Sequence, residues 1–483
     1  MSQTTPIPAH LTGRPLRVAI IGAGPAGVYA ADLLTKSEPV ASGALSLAID
    51  LFDRYPAPYG LIRYGVAPDH PRIKGIVNAL HKVLDRGDIR FFGNVDFGTD
   101  VDLPALREHY DALIFATGAI KDADLNIPGI GLEGSFGAAD FVSWYDGHPD
   151  VPRDWPLEAK EIAVIGNGNV ALDVARVLSK HPAELLVTEI PENVHAGLLA
   201  SPVTDVHVFG RRGPAQVKFT PLELRELSHS HDVDIVLYPE DFEFDEASDQ
   251  AIKTNNQTKT MVSTLTNWLI EQEEREDRAP ASRRLHLHFL HNPVEVLGED
   301  GRVSGIRFER QELDGTGQVR GTGELLDYPV QAVYRAIGYY GSALPGLEFD
   351  ANAGVIPNDG GRVLDAGGAP VPGLYTTGWI KRGPVGLIGH TKGDALETIT
   401  HLLAELGQLP PAATEASIED HLQARGVAYT TWDGWLELDG HERALGAEAA
   451  PVPTAAGPVQ RERIKVVDRE AMVEISRPLG ARA

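Results

Sequence analysis

Two segments of this chain repeat one design, and that repetition restricts the fold more than any other feature. Residues 16 to 34, LRVAIIGAGPAGVYAADLL, read as a buried strand, a glycine turn and a helix with small residues on its packing face; residues 161 to 180, EIAVIGNGNVALDVARVLSK, read the same way. Each is followed by a further apolar run, LSLAIDLFD at 45 to 53 and DVHVFGRRG at 205 to 213, which completes a strand, helix, strand unit. The expected fold is therefore α/β, with two doubly wound, Rossmann-like nucleotide-binding domains.

The first turn, Gly22, Ala23, Gly24, Pro25, Ala26 and Gly27, has the spacing Gly-x-Gly-x-x-Gly. Such glycines allow a tight turn, let the backbone approach a pyrophosphate, and let the helix pack on the sheet, while the helix N-terminus offers unpaired N–H groups to the phosphates. Alone, the spacing equally suits an ordinary strand-to-helix turn. Asp53, at the end of the next strand, can accept hydrogen bonds from a ribose diol; a solvated strand-end carboxylate is the alternative. The second turn has Gly166, Gly168 and Ala171, and its following strand ends in Gly210, Arg211 and Arg212. Arginine there accommodates a 2′-phosphate, by bidentate bonds that a carboxylate could not make. An exposed turn would also tolerate two arginines. Together the turns predict FAD at the acid-terminated site and NADP(H) at the arginine-terminated one.

Composition narrows the chemistry. With 68 acidic against 43 basic side chains and a net charge of −25, the chain has no general attraction for nucleic acid or an anionic membrane. It has no cysteine, which excludes disulfides, thiolate zinc, a self-held iron–sulfur cluster and a Cys-x-x-Cys redox centre. No metal site is expected, and electrons are expected to leave the flavin for an outside acceptor. The N-terminus, MSQTTPIPAHLTGRP, lacks the apolar stretch of a signal peptide, and no segment reaches about 18 uninterrupted apolar residues. A cytoplasmic protein with a short mobile leader and no membrane insertion is the expectation. Elsewhere the pattern predicts strands at 112 to 119 and 332 to 341, an exposed excursion at 240 to 260, and a hairpin over 294 to 310 turning at Glu-Asp-Gly. It further predicts a strand, glycine turn and long helix over 373 to 406, and a surface linker at 446 to 458.

Four longer strings carry a resemblance: YPAPYGLIRYGVAPDHPRIK (55 to 74), IGNGNVALDVAR (165 to 176), GRRGPAQVKFTPLELREL (210 to 227) and GWIKRGPVGLIGHTKGDALET (378 to 398). Over residues 14 to 475 the chain resembles the adrenodoxin reductase-like ferredoxin–NADP+ reductases, in particular their actinobacterial members. The resemblance implies a FAD-binding domain made of both chain ends, 14–119 and 342–483, with an NADP-binding domain, 120–341, inserted. It implies an enzyme in which NADPH reduces the flavin and single electrons pass to a ferredoxin or flavodoxin, in a monomer.

By position, the resemblance puts Leu61 and the GLIRYGV loop, Val95, Trp379, Gly386, Leu387 and Ile388 around FAD. Asn167, Gly168, Asn169 and Val170 fall at the NADP pyrophosphate, with Arg211, Arg212 and Glu223 on the rest of that nucleotide. His70 and Glu226 match an active-site pair beside the flavin; hydride transfer needs no proton donor, so their work would be electrostatic. Outside the motif His70 would read as a surface histidine, Glu226 as a solvated helix carboxylate and Trp379 as a core aromatic. Gly389-His390-Thr391-Lys392 departs from the Gly-Thr-Asn of many members. The acidic total charge also opposes an acidic ferredoxin, so a local basic face is expected, with Arg283, Arg284, Lys381 and Arg382 as candidates. A diaphorase or quinone reductase and a non-catalytic NADP sensor are the alternative functions. The electron-input subunit of glutamate synthase is disfavoured by the missing cysteines.

Overall fold

The computed structural model describes residues 7–274, 279–385, 388–454 and 457–477. The chain runs through β1 (Leu16–Ile21), α1 (Pro25–Thr35), β2 (Leu47–Phe52), β3 (Ile89–Phe92) and β4 (Ala112–Phe115), then β5 (Ser135–Gly137), β6 (Glu161–Ile165), α2 (Asn169–Ser179) and β7 (Asp205–Phe209). It continues with α3 (Pro221–Leu227), β8 (Val233–Leu237), β9 (Arg283–His288), β10 (His291–Glu299), β11 (Arg302–Leu313), β12 (Val319–Tyr328) and β13 (Ala332–Arg335). It closes with β14 (Asn358–Asp359), β15 (Arg362–Leu364), β16 (Pro370–Thr376), α4 (Ile388–Ala404) and α5 (Trp432–Glu448).

Two large sheets result. The order β14-β15-β16-β4-β1-β2-β3 draws one sheet from both ends of the chain, and β5-β13-β6-β7-β9-β8 builds the other from the middle. The second is parallel throughout, and the first is parallel from β16 to β3. Parallel strands need covering on both faces, which the runs LRVAII and EIAVI supply; β1 is buried at every position except Arg17, and β6 at every position except Glu161. In each sheet the glycine turn leaves the central strand, β1 or β6, where neighbouring strands depart to opposite sides.

The hairpin expected at Glu-Asp-Gly is β10 and β11, whose register pairs Glu299 with Arg302. Asp300 and Gly301, at φ 51° and 81°, make the turn, and β12 extends it to a three-stranded meander. The expected excursion at 240 to 260 is largely exposed, and it is mostly helical. Asp245 accepts from Ser248 N and opens Glu246–Thr254, Asn255 accepts from Gln257 N and Thr258 N and opens Asn256–Glu273, and the second helix buries Met261, Val262 and Leu265. Side-chain caps set these helices in a polar stretch where hydrophobic periodicity gave little signal. The expected linker is shortened as well, because α5 runs to Glu448 and Val452 pairs with Val459.

Candidate active site

The first glycine turn is built by contact. Gly22 sits at φ +112°, and a side chain there would collide with Ala116 O at the end of β4. A Cβ on Gly60, itself at φ +50°, would stand 3.1 Å from the Gly24 Cα. Tyr59 N donates to Ala23 O at 2.9 Å, and this non-glycine residue is held at φ 84°. The YPAPYGL loop is thereby laid over the turn. On the other side Gly378, at φ +77°, faces Ala26 so closely that a Cβ would lie 2.6 Å from it. Pro25 opens α1, and Gly24 caps it with no side-chain hydrogen bond, leaving the first N–H groups for a ligand.

Asp53 stands at the expected place but is turned inward. Its carboxylate accepts from Ala23 N at 2.7 Å and Tyr55 N at 2.9 Å, and burial pushes it up to about 6. In this arrangement it holds the turn itself, so a ribose would share an acceptor already engaged. Val95 N donates to Asp53 O at 2.9 Å, with the Val95 side chain in the core. Leu61 opens the short helix Leu61–Tyr64, and Trp379, half-buried, opens Trp379–Arg382. Gly386 and Leu387 lie outside the described residues, and Ile388 begins α4.

The second turn repeats the logic. Gly166 has φ +142°, and a Cβ there would collide with Ala336 O at the end of β13. Gly168 caps α2 without a side-chain bond, and a Cβ on it would meet nothing within 4 Å, so its surface is open. Asn167 O accepts from Lys218 N at 3.0 Å and Asn169 Oδ1 from Thr220 N at 2.9 Å, which fixes the following loop against the turn. Val170 is half-buried against the core beneath. Arg211 is exposed and has no ion-pair partner among the described residues; Arg212 reaches only Gln318 Oε1, at 3.5 Å. Two available guanidinium groups beside an open turn suit a phosphate.

Between the two turns lies a buried charge network that the sequence reading did not contain. His70 Nε2 is 2.8 Å from both Asp173 Oδ1 and Glu223 Oε2. Arg176, 1 % exposed, bonds Asp69 through Nε and Nη2 at 2.9 and 2.8 Å and Asp173 at 2.7 Å, and Lys180 completes the set on Asp69 at 2.7 Å. The two hydrogens of Arg176 Nη2 are taken by Asp69 and Asp173, so the hydrogen facing the carboxylates from His70 Nε2 is the imidazole's own. Burial opposes the charge, but the Asp173 and Glu223 carboxylates prevail and raise His70 to about 9, which makes it an imidazolium at neutral pH. Glu223 is pushed up by burial while His70 draws it down; with three cations facing three carboxylates, the ionised pair is the assignment that balances.

The structure places the two glutamates by their contacts. Glu223, assigned to the nucleotide, is the carboxylate beside His70, while Glu226 meets His229 at 3.4 Å. Positions 223 and 226 are three apart and share one side of the helix, so the spacing alone does not say which of them reaches His70. The proposed docking cations are also spent internally. Arg284 pairs with Asp205 at 2.6 Å, Arg283 bonds Lys180 O at 2.7 Å, Lys381 is buried against Asp394 at 2.9 Å and Glu397 at 2.6 Å, and Arg382 lies 3.6 Å from Asp394.

Comparison with known proteins decides the family. Residues 16–198 match the pyridine nucleotide-disulphide oxidoreductase model. The NADPH-ferredoxin reductase FprA of Mycobacterium tuberculosis is 42% identical over 447 residues, covering 90% of this chain and 95% of that protein. This chain belongs to the adrenodoxin reductase-like ferredoxin reductases. Within that family the human mitochondrial NADPH:adrenodoxin oxidoreductase is 37% identical over 473 residues, 95% of this chain and 91% of that one. The structure of Mycobacterium tuberculosis FprA in complex with NADPH superposes with a TM-score of 0.85 at 38% identity, covering 96% of this chain and all of the other. Among the described residues no helix is long and apolar enough to cross a membrane.

Proposed function

We propose that this protein is an NADPH-dependent, FAD-containing reductase that passes electrons to a small iron–sulfur carrier of the ferredoxin class. The observation that carries the reading is the pair of uncapped, glycine-built helix N-termini with His70 held between their domains. In it, residues 14–119 and 342–483 bind FAD and the inserted 120–341 bind NADP(H). The donors fit both groups: Gly22 and Gly27 are closed to a side chain while the N-terminus of α1 stays uncapped at Gly24, and the open Gly168 face lies beside Arg211 and Arg212. Bound FAD would supply the two-electron to one-electron conversion that nicotinamide lacks.

The chain's own residues do the rest. Arg211 and Arg212 select the 2′-phosphate, while Asn167 to Val170 orient the pyrophosphate on α2. The same helix carries Asp173 and Arg176, which grip Asp69 and His70 of the PDHP segment. Nucleotide binding at one end of α2 is thus tied to the place of an imidazolium, which favours negative charge nearby. A flavodoxin could serve as acceptor in place of ferredoxin, and the reading includes a monomer in the cytoplasm.

The test is an anaerobic absorbance titration of the purified yellow protein with NADPH and with NADH, followed by turnover with ferredoxin and with a quinone. Bleaching at far lower NADPH than NADH, and faster turnover with ferredoxin, are expected. Colourless protein that cannot take up FAD, equal response to both nucleotides, or turnover with quinone alone would overturn the reading.

A further inference from the structure

The NADP-side sheet carries a histidine cluster remote from this chemistry. His286 and His288 stand two apart on β9, so both face the same side of the sheet, and the register of the parallel neighbour β7 sets His207 directly beside His286. One ligand nitrogen from each of the three lies within 4.8 Å of the others. His207 Nδ1 and His288 Nε2 are 3.0 Å apart. Two nitrogens on one tetrahedral zinc ion at 2.0–2.1 Å are about 3.3 Å apart, so this pair is nearly at ligating distance.

We propose that His207, His286 and His288 bind a divalent transition-metal ion of the zinc class, which pins β7 to β9. His-x-His on one strand with a third imidazole across the ladder gives three nitrogen ligands from a rigid frame, the donor type such ions prefer. A carboxylate adjoins the cluster: Asp205 Oδ1 is 2.9 Å from His286 Nε2. The Asp205 carboxylate or a water can supply a fourth ligand. His207 and His288 stack on Phe209, and all three imidazoles are buried.

The hydrogen shared by His207 and His288 need only move to a distal ring nitrogen. His207 and His286 now stack at 4.1 Å and 12°, so one ring must turn about its Cβ–Cγ bond for both lone pairs to meet the ion. The entry is at the Asp205 end, where the Arg284 and Glu161 side chains are about half exposed, 51% and 41%.

The test uses chelator-treated holoenzyme. Calorimetric titration with zinc chloride should show one site of micromolar or tighter Kd, at least tenfold weaker in His207→Gln and in His288→Gln, with magnesium chloride giving no signal. Flavin absorbance reports whether each variant is folded. Crystals of the wild-type protein soaked in zinc and measured at the zinc edge decide the location without any variant. Absence of binding, binding unchanged in both variants, or an anomalous peak elsewhere with none between these rings would overturn the site in favour of an ion-free, hydrogen-bonded stack.

Discussion

Replacing Glu223 by Gln removes one of the two carboxylates facing His70 while keeping the shape of the side chain. In the wild type His70 is raised from 6.5 to about 9, so folding is favoured by a proton bound more tightly than in the unfolded chain. A shift of one unit is 1.36 kcal/mol, and 2.5 units correspond to roughly 3 kcal/mol. The sign is fixed by the direction: this contribution is complete below pH 6.5 and is lost as pH rises through 9. In the variant, burial and Arg176 oppose the charge with only Asp173 in its favour, so His70 is neutral near pH 7 and most of the contribution disappears. The destabilisation is therefore pH-dependent, and deprotonation of the ring limits it below the ~3–5 kcal/mol of an isolated broken pair. With roughly 2–4 °C per kcal/mol for a part of this size, the melting temperature followed by flavin fluorescence should fall by about 6–10 °C at pH 6, with the gap closing by pH 10. An equal gap at both pH values would refute the imidazolium assignment.

Other perturbations separate the parts of the site. Gly22→Ala, in a positive-φ turn against Ala116 O, should yield protein with little bound flavin by its absorbance ratio. Gly168→Ala, where a Cβ meets nothing, should retain flavin and raise KM for NADPH. Arg211→Ala removes charge-assisted bonds worth roughly 1.5–3 kcal/mol, so KM for NADPH should rise about 10- to 100-fold with NADH kinetics unchanged; an equal effect on both nucleotides would reject the 2′-phosphate role. His207 is lowered to about 3 by burial, so stability is lost as pH falls below 6.5. Thermal scans of metal-free protein should show His207→Gln losing roughly 2 kcal/mol less than wild type between pH 7.5 and 5, because the buried carboxylates that titrate near pH 6 are common to both.

The sequence made the repeated units legible because each depends on local rules: apolar strand, glycine at positive φ, helix with small residues. The position of Arg211 and Arg212 was legible because they stand a fixed step beyond a strand. The His70 network was not. Asp69, His70, Asp173, Arg176 and Glu223 come from three separate segments, and their convergence depends on how one sheet sits against the other. The Asp-x-x-Arg spacing of Asp173 and Arg176 is also that of an ordinary exposed helical pair, and only tertiary placement buries it. The His-x-His at 286 and 288 stands in the sequence, but only the β7 to β9 register brings His207 beside it.

The joint between the two sheets is itself made with charge. Lys465 Nζ, 1 % exposed, donates to Arg63 O at 2.6 Å and Asp146 O at 2.9 Å and lies 2.8 Å from Glu189; Lys74 meets Glu189 at 2.8 Å as well. Arg461 reaches Glu192 at 2.6 Å, and Arg463 reaches Asp439 on α5. The alternating cations of the last described segment therefore fasten the middle of the chain to the GLIRYGV loop. Buried ion pairs contribute little net stability because desolvation consumes the Coulomb gain, yet each removed partner is costly. A hydrocarbon joint could slide by small steps, whereas unpaired buried charges make every shifted position unfavourable. On the proposed function, that property suits two nucleotides held on different sheets that must meet in one register.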